Sequence, residues 1–178
     1  MLTIYQQQKK GTRLTMPWTS PATFIPGQII AAADLNSQLR DNELYLLAGR
    51  PVGYVVRQGL ADYVTSSTSF VDVDAANVIL TLTLNGSRAL VIATGTMEAP
   101  VGQDMYFDWI VDSTTRAGGS SGVSQSNNNN QRQPFSAIGF FSGLSAGVHT
   151  FKLQYRSASG AATLHNNGQP LTLFGVEI

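Results

Sequence analysis

The segment from Asn77 to Glu98 reads NVILTLTLNGSRALVIATGTME, and its pattern decides the fold class. Val78, Leu80, Leu82 and Leu84 alternate with Ile79, Thr81 and Thr83, the two-residue period of a strand with one face turned to a core. Asn85-Gly86 follows, and an apolar run resumes from Ala89 to Thr96. An Asn-Gly pair between two such runs predicts a hairpin, because both turn positions favour positive φ.

The same period recurs downstream. Between Asp104 and Asp112 the odd positions Met105, Phe107, Trp109 and Val111 share one face, and Asp104, Tyr106, Asp108 and Asp112 share the other. From Val148 to Arg156, Phe151, Leu153 and Tyr155 point inward, while Thr150, Lys152, Gln154 and Arg156 point outward. Leu171, Leu173, Gly175 and Ile178 form a terminal strand. Short strands at regular intervals with turn residues between them predict a mainly β body, an antiparallel β-sandwich of jelly-roll type over residues 51–178. No helical period interrupts the strands, which excludes a parallel α/β sheet.

Two shorter regions precede this body. Residues 1–30 hold Pro17, Pro21 and Pro26 with Gly11 and Gly27 close by. Proline fixes φ and biases its predecessor toward extended backbone, so this stretch reads as an extended attachment arm. Its apolar side chains, Leu2, Ile4, Leu14, Trp18, Phe24 and Ile25, need a groove on the body or on a partner. Residues 31–50 read as one short helix, running from about Ala31 to Ala48 and stopped by Gly49 and Pro51. Leu35, Leu39, Asn42 and Leu46 are spaced as a heptad seam, with Asn42 placed to set register among associated copies. A helix of this length is marginal alone in water, so its stripe must pack on something.

Composition narrows the function. The 178 residues carry 11 Lys plus Arg against 11 Asp plus Glu, and only 12% are charged. A neutral chain lacks the cationic excess that neutralises phosphates, so no nucleic-acid partner is expected. With no cysteine, disulfides, thiolate metal sites and a cysteine nucleophile are excluded. Met1 to Arg13 hold no apolar run of signal-peptide length, and Val78 to Leu84 is too short to span a bilayer, so no membrane partner is expected either.

The search for chemistry returns little. His149 falls on the outward face of a predicted strand and His165 in a turn beside Asn166, Asn167 and Gly168, so both read as surface histidines. Asp104, Asp108 and Asp112 share a face, as do Asp72 and Asp74. Such columns could offer oxygen ligands to calcium, but they read as solvated strand faces, and no metal or cofactor is expected. Ser113 to Pro134 contains Gly118, Gly119, Gly122 and four consecutive asparagines, Asn127 to Asn130, and reads as a loop that cannot pack a core. Its Gly-Gly-Ser-Ser-Gly run has neither the lysine nor the following helix of a phosphate loop. The chain is expected not to be an enzyme.

Met16-Pro17-Trp18-Thr19, Pro21, Phe24, Gly27, Ile30, Ala32-Ala33-Asp34-Leu35-Asn36 and Leu39-Arg40-Asp41-Asn42 together resemble a leader of tailed-bacteriophage virion proteins. The run Gly147-Val148-His149-Thr150-Phe151-Lys152-Leu153-Gln154-Tyr155 before a final strand is similar to jelly-roll domains of the tumour-necrosis-factor or C1q type. The resemblance implies a homotrimer, with the helices joined through Leu35, Leu39, Asn42 and Leu46. It implies a non-enzymatic capsid decoration (cement) or head-fibre protein, assembled into the virion in the host cytoplasm. The arm would dock on the major capsid protein or other virion subunits. The alternative it implies is a tail fibre or receptor-binding tip that recognises host surface glycan. The leader usually opens at the methionine matching Met16, so residues 1–15 are expected to be an added arm or to mark a different start site.

Overall fold

The computed structural model describes residues 23, 26–36, 39, 43, 50–59, 61–126 and 130–178. The chain divides into two units, residues 1–49 and residues 50–178. In the first, α1 (Ala32–Leu35) begins after Ala31, whose side chain offers no cap, and holds Asp34 in its first turn. Leu35 and Leu39 of the predicted seam both have exposed side chains. The seam positions Asn42 and Leu46, and the arm residues Leu2, Ile4, Leu14, Trp18, Phe24 and Ile25, lie outside the described residues.

The second unit is mainly β. Its strands are β1 (Val52–Arg57), β2 (Tyr63–Thr65), β3 (Val71–Asp72), β4 (Ile79–Leu84), β5 (Arg88–Glu98), β6 (Met105–Val111), β7 (Thr115–Arg116), β8 (Ser124–Ser126), β9 (Gln133–Ser142), β10 (Gly147–Ser157), β11 (Ala162–His165) and β12 (Leu171–Glu177). Among the described residues they form two antiparallel sheets of six strands each. In the first sheet β5 is the spine: β9 pairs along one edge, and β12 and β11 follow one another along the other. β1 then pairs with β12, and β2 with β11. In the second sheet β10 is central, between β6 on one edge and β4 with β3 on the other. The far edge of β6 carries β7 and β8.

One core lies between the sheets, built from the alternation read in the sequence. Leu80, Leu82 and Leu84 from β4, Phe107 and Trp109 from β6, Phe151 and Leu153 from β10, and Val91, Leu171 and Leu173 from the first sheet are all buried. The Phe107 ring stacks on Phe135 of the opposite sheet, with centroids 3.9 Å apart. Trp109 satisfies its buried indole by donating Nε1–H to the Ala137 carbonyl at 3.0 Å, a bond that also joins sheet to sheet. Close approach depends on glycine. A Cβ on Gly175 would stand 2.5 Å from Leu80 Cδ2, and one on Gly139 2.9 Å from Trp109 Cδ1.

Asn85-Gly86 is not a hairpin. β4 belongs to the second sheet and β5 to the first, so the chain crosses the sandwich there and the two apolar runs do not pair. Neither residue has a positive φ. The corner is held from elsewhere: the buried Glu177 carboxylate accepts the Asn85 N–H at 3.0 Å and also that of Gly86. A strand-turn-strand pattern records where the chain turns but not which strand becomes the neighbour.

The Ser113–Pro134 region is also more ordered in its first half than its composition suggests. β7 and β8 pair with β6, and Ala117 and Val123 pack against the core. Their amides donate to the Trp109 and Phe107 carbonyls at 2.8 and 2.9 Å. Gly118 and Gly122 permit the tight corner between them, since a Cβ on Gly118 would stand 2.4 Å from the Gly122 carbonyl carbon. Asn127, Asn128 and Asn129 lie outside the described residues.

Candidate functional site

Strand alternation that fills the core also fixes what each sheet shows to the outside, and the two outer faces differ. On the first sheet, pairing aligns two rows across four strands. Val52, Val176, Leu90 and Phe140 form one, and Tyr54, Phe174, Ile92 and Ile138 the next. Tyr54 is 76% exposed and Phe140 52%; Val52, Phe174 and Ile138 are exposed as well, while Leu90, Ile92 and Val176 are half-buried among them. The following row, Val56, Thr172, Thr94 and Ser136, turns polar. The apolar patch is therefore confined to one end of the face, the end where β1 begins just after the unit's first residue, Arg50. Singly exposed apolar side chains are ordinary on a protein surface; five exposed ones, contiguous in two rows with three half-buried ones, make a candidate interaction surface.

The second sheet presents charges instead. Asp108, predicted on a solvated face, is fully buried there. Its Oδ2 accepts from Arg116 Nε at 2.7 Å, and its Oδ1 accepts the Trp109 and Gly118 amides, each at 2.8 Å. Arg116 and the Gly118–Gly122 corner cover it, which a reading of β6 alone had no means to show. The Arg116 guanidinium lies 3.9 Å from the Phe70 ring centroid, and that of Arg156 lies 3.7 Å from the Tyr106 centroid. Arg156 also donates to the Ser120 carbonyl at 3.0 Å. Asp72 accepts from Lys152 Nζ at 3.0 Å and from Gln154 Nε2 at 2.8 Å, so these strand-face charges are tied to one another. Asp74 instead caps a turn by accepting the Ala76 and Asn77 amides.

Neither histidine is at the surface. His149 is 7% exposed and shares the inward side of β10 with Phe151, which corrects its predicted outward placement. His165 ends β11 and is 4% exposed. Each ring is gripped by acceptors at both nitrogens: Asp112 and the Ser145 carbonyl for His149, Asp62 and Glu98 for His165. Asp62 beside His165 has a carboxyl held down to about 2, first by the Asn167 and Asn166 amides and then by the imidazole. Among the described residues no group of three or more His, Asp or Glu side chains is arranged to hold a metal ion.

Of the predicted site residues, Leu35 and Leu39 are described and exposed in the first unit. The apolar face of the first sheet was not identified from sequence. Its signal was available in Val52, Tyr54 and Val56, which alternate in step just beyond Pro51. No family model matches the chain, and no curated protein matches it.

Proposed function

We propose that the protein is a non-enzymatic structural component of a tailed-phage virion, a trimeric capsid decoration protein anchored through its N-terminal arm and helix. The observation that carries this reading is the apolar end of the first sheet's outer face, a surface suited to further copies of the same chain. In the first unit Leu35 and Leu39 are exposed as well, so the helix also offers apolar side chains to further copies. The strand order supports a jelly roll, with β1, β12, β5 and β9 in one sheet and β4, β10, β6 and β7 in the other. The chain passes from sheet to sheet at each of the steps β4 to β5, β5 to β6 and β9 to β10. Zero net charge suits docking on protein rather than on packaged DNA.

Light scattering on the purified full chain tests the assembly. Three times the chain mass is expected, and Tyr54→Lys with Phe174→Lys should reduce it to the single-chain mass without loss of far-ultraviolet circular dichroism. A wild-type monomer overturns the reading. Location is tested by counting copies in purified particles, where hundreds are expected for a decoration protein. A dozen or fewer would move it to the tail. That second reading, a glycan-recognising fibre tip, draws support from the other sheet, where Tyr106 and Phe70 offer aromatic rings beside the polar groups of Asp104 and Gln125.

A further inference from the structure

The chain has two histidines, one in each sheet, and both are buried with acceptor oxygens at both ring nitrogens. For His149, Nδ1 is 2.7 Å from Asp112 Oδ2 and Nε2 is 2.8 Å from the Ser145 carbonyl. For His165, Nδ1 is 2.9 Å from Asp62 Oδ2 and Nε2 is 3.2 Å from Glu98 Oε2. A neutral imidazole has one N–H and one lone pair, so it satisfies one such oxygen and points a lone pair at the other. A carbonyl accepts at every pH, and an ionised carboxylate only accepts. Both sets of bonds are complete only when the ring carries two protons.

Each ring bridges two segments, beside backbone amides that reach the same carboxylates. Asp112, at φ 50°, opens the β6–β7 turn, and its Oδ1 also accepts the Thr150 amide at 2.9 Å. Ser145 lies in the β9–β10 turn, so His149 ties two turns to the start of β10. Across from His149 on β4 is Leu82, so Asp112 is the ionisable group that faces it. Asp62 lies in the β1–β2 connection and accepts the Asn166 and Asn167 amides at 2.7 and 2.8 Å. Glu98 comes from the end of β5. The other neighbours of His165 are Thr96, opposite it on β5, and Tyr63 of β2, which pairs with Leu164.

We propose that His149 is a proton latch: doubly protonated, it clamps the β6–β7 and β9–β10 turns to the start of β10, and loss of one proton loosens that clamp. The latch therefore works in the direction opposite to a histidine buried neutral, holding in mild acid and loosening in mild alkali. For His149, burial alone would lower the affinity for the proton, but the Asp112 carboxylate and the Ser145 carbonyl outweigh it and raise the value above the ordinary 6.5. The sign follows. The stabilisation is fully present below the unfolded value and is lost as pH rises through the raised folded value. The inference is independent of what the protein attaches to.

Two measurements on the wild-type full chain test it. With two histidines, proton NMR gives two imidazole Cε1–H signals, assigned with His165→Gln. Hydrogen–deuterium exchange, corrected for intrinsic base catalysis, then reads the segments across pH 5.5–9. The expected result is a His149 midpoint above 6.5. Opening of residues 112–114 and 143–149 should rise roughly tenfold for each unit by which that midpoint exceeds 6.5. A His149 midpoint at or below 6.5 would overturn the latch, and so would corrected exchange of residues 112–114 and 143–149 that does not change across the His149 titration.

Discussion

The two sheets share one core and yet turn opposite surfaces outward. On the first, Tyr54, Phe174, Ile92 and Ile138 stand in a row with nothing polar to hold them. On the second, Asp108, Arg116, Phe70, Arg156 and Tyr106 are interlocked by ion pairing and ring stacking. One outer face is tied together within the single chain, and the other exposes a contiguous apolar patch. The difference separates side chains that fasten one another within the chain from apolar side chains exposed side by side.

That separation can be broken by substitution. Asp108→Ala removes the buried acceptor of Arg116 and two amides, and should cost about 2–4 kcal/mol in urea unfolding, softened because Arg116 is partly exposed to water. The mass in light scattering should stay that of the wild type wherever the variant remains folded. Gly175→Ala lies on the inner side of β12, between the outward Phe174 and Val176, and drives a methyl against Leu80 and Leu82. It should cost about 1–3 kcal/mol by the same measurement, again through the core. Ile138→Lys on the outer face should change the unfolding free energy of the dissociated chain by about 0.5 kcal/mol or less while weakening association. If Ile138→Lys destabilised the monomer as much as Gly175→Ala, the distinction between the two sides of the first sheet would fail.

Acid sharpens the comparison in a different way. Asp62 has its carboxyl lowered to about 2 by two amides and an imidazole, so its contribution is present above the unfolded value and is lost as pH falls toward 2. Asp62→Asn should therefore be less stable than wild type at neutral pH, and the gap should close between about pH 4 and pH 2 in thermal melts.

What the sequence revealed was local. The alternation in β4, β6 and β10 marks the inward residues because burial acts on every second side chain, whatever lies across the sheet. Asn85-Gly86 misled because a turn motif cannot say whether the next strand joins the same sheet; the decisive partner, Glu177, is about ninety residues away. His165 was misplaced for the same reason, whereas His149 stands in step with Phe151 and Leu153, so the alternation itself already marked it as inward. Their acceptors Asp112 and Asp62 are 37 and 103 residues distant, beyond anything neighbouring residues report. The apolar outer face went unnoticed because its rows exist only once β1, β12, β5 and β9 lie side by side. Val52, Tyr54 and Val56 carried the hint, but an alternating strand does not disclose which apolar side chains its neighbours will set beside them.

The glycines behind that face have a further consequence. On β1 and β12, Gly53 and Gly175 face inward between large outward neighbours, and a Cβ on Gly53 would stand 2.8 Å from Leu82 Cδ2. A slip of either strand by one residue would swing Tyr54 or Phe174 into a gap too small for a methyl group. One-residue slips of β1 or β12 are thus disfavoured by steric collision, which gives these two strands a built-in check on alignment.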